Sequence, residues 1–152
     1  MHFDEVVELL VETIRRAQLV LPEDVRAAIR RAYAAESHTP SKRCLEAILK
    51  NIEIAEAKGV PMCQDTGLPI FFVELGKERT FDIDIEAAIL EAVRRATLEV
   101  PLRPNTVEPL TRKNAGDNTG TGMPEIKYYL TSGDGTRITY MLSLIHISEP
   151  TR

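Results

Sequence analysis

Cysteine is scarce in this sequence, and its scarcity limits what the chain can build alone. There are two cysteines, Cys44 and Cys63, among 152 residues. Two cysteines do not make a disulfide framework, and a reducing compartment would keep both as thiols. They also cannot complete a four-ligand metal site unless further ligands come from elsewhere. The cysteine content therefore argues against a disulfide-stabilised fold and against a self-contained structural zinc site.

Excess positive charge and long apolar runs are lacking as well. The 19 basic residues are outnumbered by 23 acidic ones, which gives a net charge of -4, whereas a dedicated nucleic-acid binder usually shows a basic patch or stripe. No apolar run approaches the roughly 20 residues needed to span a bilayer. The acidic start of the chain, residues 1–5, lacks the positive charge that opens a secretory signal. We therefore expect a cytoplasmic protein that binds neither nucleic acid nor a membrane.

The whole chain is long enough for one domain with a real core. In its first part, start and stop signals predict three helices. Apolar residues recur at helical spacing from Phe3 onward. Pro22 starts the second helix, and Thr39 caps the third with Pro40 at its first position. The third helix ends at Gly59. The residues expected on the apolar, inward faces are Phe3, Val6, Val7, Leu10, Ile14 and Ala17, then Val25, Ala28, Ile29 and Ala32, then Leu45, Ile48, Leu49, Ile52 and Ala55.

A fourth helix is predicted after the first strand. Asp82 or Asp84 can cap it, and Pro101 would stop it. Its expected apolar face is Ile85, Ala88, Ile89, Ala92, Val93 and Ala96.

Three short segments are predicted as strands. Pro69–Leu75 is bounded by glycine, and Glu125–Leu130 and Arg137–Met141 flank a turn at Ser132–Gly135 that favours a hairpin. The predicted fold class is therefore α+β, with N-terminal helices followed by a small mixed sheet and a packed helix. The long polar segment between Leu102 and Thr121 has no periodicity, and such loops are usually functional or disordered.

The end of the sequence does not fit the rest. Residues 142–152 read like the translation of a sequencing-adapter read-through. We predict that they are a non-native tail, that the native part is 1–141, and that the fold is truncated there. His146 is therefore given no role, because artificial segments do not belong in fold reasoning.

The densest group of reactive side chains is Cys63-Gln64-Asp65-Thr66, just before the first strand. A thiolate is a soft ligand for zinc or an iron–sulfur cluster, and it is a nucleophile when its pKa is lowered. A catalytic cysteine would need a histidine base, and only His2 and His38 remain outside the tail. The alternative is a small apolar side chain buried at a helix–strand junction. Cys44, beside the inward-facing Leu45, is interpreted as structural.

The neighbours of Cys63 and the cations of the long loop also have two interpretations. Asp65 could orient ligands or move protons, or it could accept a backbone N–H in an Asx-turn. Gln64 could hold a substrate carboxylate or amide through its N–H donors, or it could be an exposed turn residue. Arg103, Arg112 and Lys113 suit an anionic small molecule, but they could equally belong to a solvated basic loop.

The glycine-rich run Gly116–Gly122 superficially suggests a phosphate-binding loop. It matches neither the P-loop pattern nor the dinucleotide-binding pattern, and no strand clearly leads into it. We therefore do not predict nucleotide binding.

Three segments in order resemble the class I fumarases, which are iron–sulfur hydro-lyases. The resemblance runs from about Phe3 to Met141 and is nearest to the separate alpha subunit of two-subunit enzymes, a form shared with L-tartrate dehydratase. The segments are Met62-Cys63-Gln64-Asp65-Thr66-Gly67, Leu102-Arg103-Pro104-Asn105, and Arg112-Lys113-Asn114-Ala115-Gly116-Asp117-Asn118-Thr119-Gly120 with Pro124-Glu125-Ile126.

The resemblance implies a labile [4Fe-4S] cluster held by three cysteines, of which Cys63 matches the first. It implies that Gln64 and Asp65 contact a small dicarboxylate substrate, that Asp65 assists proton transfer, and that Arg103 binds a substrate carboxylate. The implied reaction is the reversible trans addition of water to fumarate, giving malate. The implied partner is a beta subunit or a C-terminal domain of the same enzyme, and we also expect an oligomer.

The sequence also departs from the family pattern, which limits what the chain can do alone. The family's other two cluster cysteines, its catalytic histidine and a Lys-Gly-Gly-Gly-Ser segment are missing. We therefore expect this fragment to be inactive by itself. The alternatives are the alpha subunit of an L-tartrate dehydratase and a non-catalytic helical interaction module in which Cys63 is merely buried.

Overall fold

The computed structural model describes residues 2–77, 83–100 and 102–143. Within them, four helices and three strands form an α+β fold, as predicted from the sequence. The expectations for Asp82, Pro101 and His146 lie outside the described residues. The elements are α1 (Phe3–Leu19), α2 (Glu23–Ala35), α3 (Thr39–Lys58), β1 (Leu68–Gly76), α4 (Ile85–Glu99), β2 (Glu125–Thr131) and β3 (Thr136–Ser143).

The predicted helix ends are confirmed with shifts of one residue. Asp84 caps α4, and its side chain accepts a hydrogen bond from the Ala87 N–H at 2.9 Å. Gly59 ends α3 in the left-handed conformation, with φ of 62°. The cap of α3 is His38, so Thr39 is the first helical residue and not the predicted cap. None of the described helices is long and apolar enough to cross a membrane.

The main core lies between the α1–α4 pair and one face of the sheet. α1 packs against α4, and both cover the side of β1 that carries Phe71 and Val73. Arg95 of α4 bonds Glu8 of α1 at 2.7 Å across the edge of this pair and also bonds Glu99. The Arg95 guanidinium holds the pKa of Glu8 below its usual value. The predicted inward face of α4 is confirmed as buried: Ile85, Ala88, Ile89, Ala92, Val93 and Ala96. In α1, Val6, Val7, Leu10 and Ile14 are buried as predicted. The inward assignment is wrong for Phe3 and Ala17, which lie near the two ends of α1 and are exposed.

The predicted hairpin between the last two strands is wrong. The strand order is β2-β1-β3, with β1 parallel to β2 and antiparallel to β3. β1 is the most apolar strand, and Ile70, Phe71 and Val73 are at most 3% exposed. A central position satisfies the backbone of such a strand on both edges, which an outer position would not.

The turn between β2 and β3 crosses the end of β1 instead of closing a tight pair. The Gly76 N–H donates to the Gly135 carbonyl at 3.0 Å. A Cβ atom on Gly76 would collide with the backbone of residues 133–135. Glycine is therefore required at position 76 for the turn to pass so closely.

The α2–α3 pair buries far less than its apolar pattern predicts. Ile52 and Ala55 of α3 are buried, but Ile48 is 46% exposed. No residue of α2 is buried, and Val25 is 39% exposed. The inward assignment is therefore wrong for Ile48 of α3 and for Val25, Ala28 and Ala32 of α2, all of which are exposed. The reason is that α2 and α3 pack mainly on each other and leave part of each apolar face uncovered.

Candidate functional site

The turn that carries Cys63 is fixed at both ends by hydrogen bonds. The Asn51 side chain of α3 donates to the Met62 carbonyl at 2.8 Å. At the other end, Asp65 Oδ1 accepts from the Gly67 N–H at 3.0 Å, and Gly67 has a φ of 68° that favours glycine. The turn is thus held between the end of α3 and the start of β1 by contacts within the chain.

The thiol of Cys63 is exposed. Its Sγ donates to the Asp65 carbonyl at 3.1 Å within the same turn. This excludes the alternative in which Cys63 is a small apolar side chain buried at a helix–strand junction. Cys44 is also exposed, so its interpretation as a structural core cysteine is wrong. Its helical neighbour Leu45 is only half-buried.

The fold brings Arg103 to the Cys63 turn, although 40 positions separate the two residues. The Arg103 N–H donates to Thr66 Oγ1 at 2.9 Å, and Arg103 Nη1 lies 3.4 Å from the Gln64 carbonyl. Thr66 is 3% exposed, so this backbone contact is protected from water. One open depression is lined by Cys63, Gln64, Thr66 and Arg103 together with Pro61.

Asp65 belongs to the turn but not to the lining of the depression among the described residues. It is exposed, and its Oδ1 atom makes the Asx-turn contact with Gly67. The structural interpretation of this carboxylate is therefore confirmed for one of its two oxygens. Its predicted part in proton transfer stays a prediction.

The other two cations proposed from the sequence lie elsewhere. Arg112 and Lys113 belong to a tight turn in which the Glu108 N–H donates to the Lys113 carbonyl and the Arg112 N–H donates to the Glu108 carbonyl, both at 2.8 Å. Neither lines the depression in the part of the chain that the structure describes. Arg103 is therefore the cation of the site in this region.

The long loop after α4 is ordered by a buried asparagine that the sequence prediction did not single out. Asn118 is 3% exposed and has a φ of 60°. Its Oδ1 accepts from the N–H groups of Asn105 and Thr106 at 2.7 and 3.3 Å, and its Nδ2 donates to Thr97 Oγ1 and the Arg103 carbonyl at 3.1 and 2.9 Å. All four hydrogen-bonding positions of the amide are thus used.

A sequence signal for Asn118 did exist. The Gly-Asp-Asn-Thr-Gly run calls for left-handed backbone, and asparagine tolerates that conformation better than most residues. Asp117 beside it accepts from Thr119 N and Oγ1 at 3.0 and 2.7 Å, which closes an Asx-turn. The glycine-rich run therefore contains a turn that is closed by its own side chains.

The Cys63 turn and the long loop after α4 both lie over the sheet near Tyr140. A small enclosed cavity separates Tyr140 from Thr66, Gly67 and Asn118. The Tyr140 hydroxyl is buried without a protein partner among the described residues, and burial raises the pKa of Tyr140 well above its usual value. Its ring packs against Phe71 with centroids 5.0 Å apart. The site is therefore supported by the main core and not by the α2–α3 pair alone.

The implied [4Fe-4S] cluster can be tested against the donors present. An exposed thiol in an open depression suits one cluster ligand. Within residues 2–77, 83–100 and 102–143, no group of three or more cysteine, histidine or carboxylate side chains could hold a metal. This part of the chain therefore fits one ligand of a cluster, and the remaining ligands would have to come from outside it.

Comparison with known proteins finds a family model and relatives that match most of this chain. The family model described as "Fumarate hydratase (Fumerase)" matches residues 7–143. A relative from Methanocaldococcus jannaschii named "Putative L(+)-tartrate dehydratase subunit alpha" is 47% identical over 124 residues, 80% of this chain and 44% of the relative. A "Putative fumarate hydratase class I" from Geobacillus stearothermophilus is 39% identical over 127 residues, 83% of this chain and 24% of the relative.

A further relative, the "L(+)-tartrate dehydratase subunit alpha" of Escherichia coli O157:H7, is 29% identical over 136 residues, 89% of this chain and 45% of the relative. The chain thus spans less than half the length of these curated relatives. The match nevertheless covers most of the described residues, including the Cys63 turn, Arg103 and Asn118. The chain belongs to the fumarate hydratase (Fumerase) family of hydro-lyases.

Proposed function

We propose that this chain supplies part of the active site of an iron–sulfur hydro-lyase that reversibly hydrates fumarate to malate. The observation that carries the proposal is that Cys63, which is exposed, and Arg103 line one depression. In this reaction one carbon of the double bond gains a proton and the other gains a hydroxyl group. The site is completed by sequence outside the described residues, in a beta subunit or a C-terminal domain.

Arg103 is the carboxylate-binding residue in this proposal. A guanidinium offers five N–H donors and pairs with a carboxylate through two of them. Its backbone N–H is held by Thr66, and one of its terminal nitrogens lies near the Gln64 carbonyl. The remaining donors are available to a dianionic substrate, and the exposed Gln64 amide can add a further donor.

Cys63 and Asp65 have the chemical roles. The Cys63 thiolate would be one ligand of the [4Fe-4S] cluster, which supplies a Lewis acid when bound. Asp65 would assist proton transfer through the oxygen that does not bond Gly67. The free Cys63 thiol donates to the Asp65 carbonyl, which shows that the two residues share one turn, and the thiolate would give up this contact when it binds the cluster.

A second candidate is the alpha subunit of an L-tartrate dehydratase. It is favoured by the relatives that carry this name, one of them 47% identical to this chain. Both candidates need a carboxylate-binding arginine and the same kind of partner, so the Cys63–Arg103 geometry supports either. We place the enzyme in the cytoplasm as an oligomer.

The test uses the full-length subunit together with its partner. Turnover of fumarate and of L-tartrate is measured side by side, with the iron content of the wild type and of Cys63→Ala. Cys63→Ala should abolish turnover and lower the iron content, whereas Cys44→Ala, which removes the other exposed thiol, should leave both unchanged. Unchanged turnover in Cys63→Ala would favour a non-catalytic interaction module. The preferred substrate separates the two enzyme candidates.

A further inference from the structure

Asn118 lies at the centre of the contacts that join the loop carrying Arg103 to the turn carrying Cys63. Its Nδ2 donates to the carbonyl of Arg103, and the N–H of the same residue donates to Thr66 Oγ1. The backbone of Arg103 is therefore gripped on both sides, once by the amide of Asn118 and once by the turn that carries Cys63. A side chain that starts from a backbone held in this way has a restricted set of positions.

The two residues that follow Pro104 are held by further hydrogen bonds. Asn105 donates through its Nδ2 to the Gly67 carbonyl at 3.1 Å, while its own N–H is held by Asn118 Oδ1. Thr106 Oγ1 lies 3.3 Å from the Asn118 carbonyl and donates to it. The loop on both sides of Pro104 is thus tied to the start of β1 and to the backbone of Asn118.

Asn118 is in turn anchored on α4. Thr97 Oγ1 accepts from Asn118 Nδ2, and it lies 2.8 Å from the Val93 carbonyl and 3.0 Å from the Asp117 carbonyl, one of which takes its single proton. Thr97 is 4% exposed, and Val93 is part of the main core. The loop is therefore anchored to the main core through Thr97.

The conformation of Asn118 itself is unusual for a buried residue. A φ of 60° is uncommon outside glycine and is tolerated best by asparagine and aspartate. Glycine would adopt this backbone conformation without strain, but it would leave the groups bonded by the Asn118 amide without that partner. An asparagine here instead supplies four side-chain hydrogen bonds, of which one reaches Arg103 directly and two reach the residues that follow Pro104.

We propose that Asn118 is the positioning residue that sets the Arg103 guanidinium at carboxylate-binding distance from the Cys63 turn. The inference rests on the proposed function, since it assigns Arg103 the role of binding a substrate carboxylate. Asn118 does not touch the substrate and acts through the Arg103 backbone. It therefore governs substrate affinity more than the rate of the chemical step.

The test uses the full-length subunit with its partner. Asn118→Ala removes all four side-chain contacts. Asn118→Asp keeps the size, the acceptor and the tolerance of positive φ but loses both Nδ2 donations, to the Arg103 carbonyl and to Thr97 Oγ1. Both should raise KM for the dicarboxylate about tenfold and change kcat about twofold or less. The Kd of succinate, a dicarboxylate that cannot be hydrated, should weaken by the same factor, with the iron content unchanged. If Asn118→Ala fails to fold, Asn118→Asp alone decides the question.

Three comparisons make the result decisive. Ile89→Val, which lowers stability in the core of α4 without touching the loop, should leave KM unchanged. In an Arg103→Ala background, Asn118→Ala should weaken succinate binding no further, because its effect runs through Arg103. An additive loss there, or an unchanged KM in both Asn118 variants, would overturn the positioning role. If Arg103→Ala itself left succinate binding unchanged, the proposed function would fail instead.

Discussion

The α2–α3 pair has regular structure but is largely exposed, whereas the loop-built site is irregular but contains buried side chains. The helices of the pair are long and regular, yet no residue of α2 is buried and Ile48 of α3 is 46% exposed. The loops of the site have little regular structure, yet Thr66, Thr106 and Asn118 are at most 7% exposed. Backbone regularity and tertiary constraint are therefore separate properties in this fold.

The difference has a physical cause. A helix satisfies its own backbone hydrogen bonds, so α2 can remain regular while its side chains are largely exposed. A loop cannot do this, and each buried N–H or carbonyl must find a partner elsewhere. In the site these partners are the side chains of Thr66, Thr97 and Asn118. The loops are consequently fixed by many specific contacts, which is the property that an active site requires.

The largest expected contrast between the main core and the α2–α3 pair comes from removing one large side chain in each. Phe71→Ala empties a fully buried site beside Tyr140 and should lower the free energy of unfolding by about 3–5 kcal/mol. Ile48→Ala, at a half-exposed position, should lower it by about 1 kcal/mol or less. Urea denaturation of each variant measures both values. Equal losses would mean that the α2–α3 pair is as tightly packed as the core.

The crossing of the β2–β3 turn over β1 is tested by a glycine substitution. Gly76→Ala places a Cβ against the backbone of residues 133–135 and should cost about 1–3 kcal/mol. Gly133→Ala adds a methyl group that meets no heavy atom within 4 Å and should change stability by about 0.5 kcal/mol or less. The two midpoints in thermal unfolding decide the comparison. A harmless Gly76→Ala would contradict the crossing.

The sheet also shows where sequence prediction succeeded and where it failed. The strand segments and the capping residue Asp84 follow from local patterns, and they were predicted correctly. The pairing of the strands was predicted wrongly, because a turn at residues 132–135 reverses the chain whether or not another strand lies between β2 and β3. Which strand becomes central depends on burial against α1 and α4, which is a long-range property.

The candidate site divides in the same way. Cys63, Gln64 and Asp65 are adjacent in the chain, so their grouping needed no structure. The approach of Arg103 to the turn was implied only by family resemblance, because 40 positions separate Arg103 from Cys63. The role of Asn118 was not predicted at all, since a hydrogen-bond hub is defined by partners scattered over several loops.

The polar ties of the site can be compared with a polar contact on a helix surface. Thr66→Val keeps the side-chain shape but removes the acceptor for the Arg103 N–H, and it should cost about 1 kcal/mol. Thr13→Val removes an exposed contact with the Leu9 carbonyl on α1 and should change stability by about 0.5 kcal/mol or less. Hydrogen exchange at the Arg103 amide supplies the second measurement. It should accelerate in Thr66→Val only, and unchanged exchange there would show that the contact does not hold the loop.

The smallest expected effect concerns the ion pair that links the α2–α3 pair. Arg26 bonds Glu56 across the two helices, with side chains 16% and 40% exposed, and Arg26 Nε also donates to the Leu21 carbonyl at 3.0 Å. A double-mutant cycle with Arg26→Gln and Glu56→Gln should give a coupling of about 0.2–1 kcal/mol. The coupling should shrink at 1 M salt, because partly exposed charges are screened. A larger coupling that does not change with salt would mean that the Arg26–Glu56 contact is desolvated. The α2–α3 pair would then be held by a specific polar contact, as the loops of the site are.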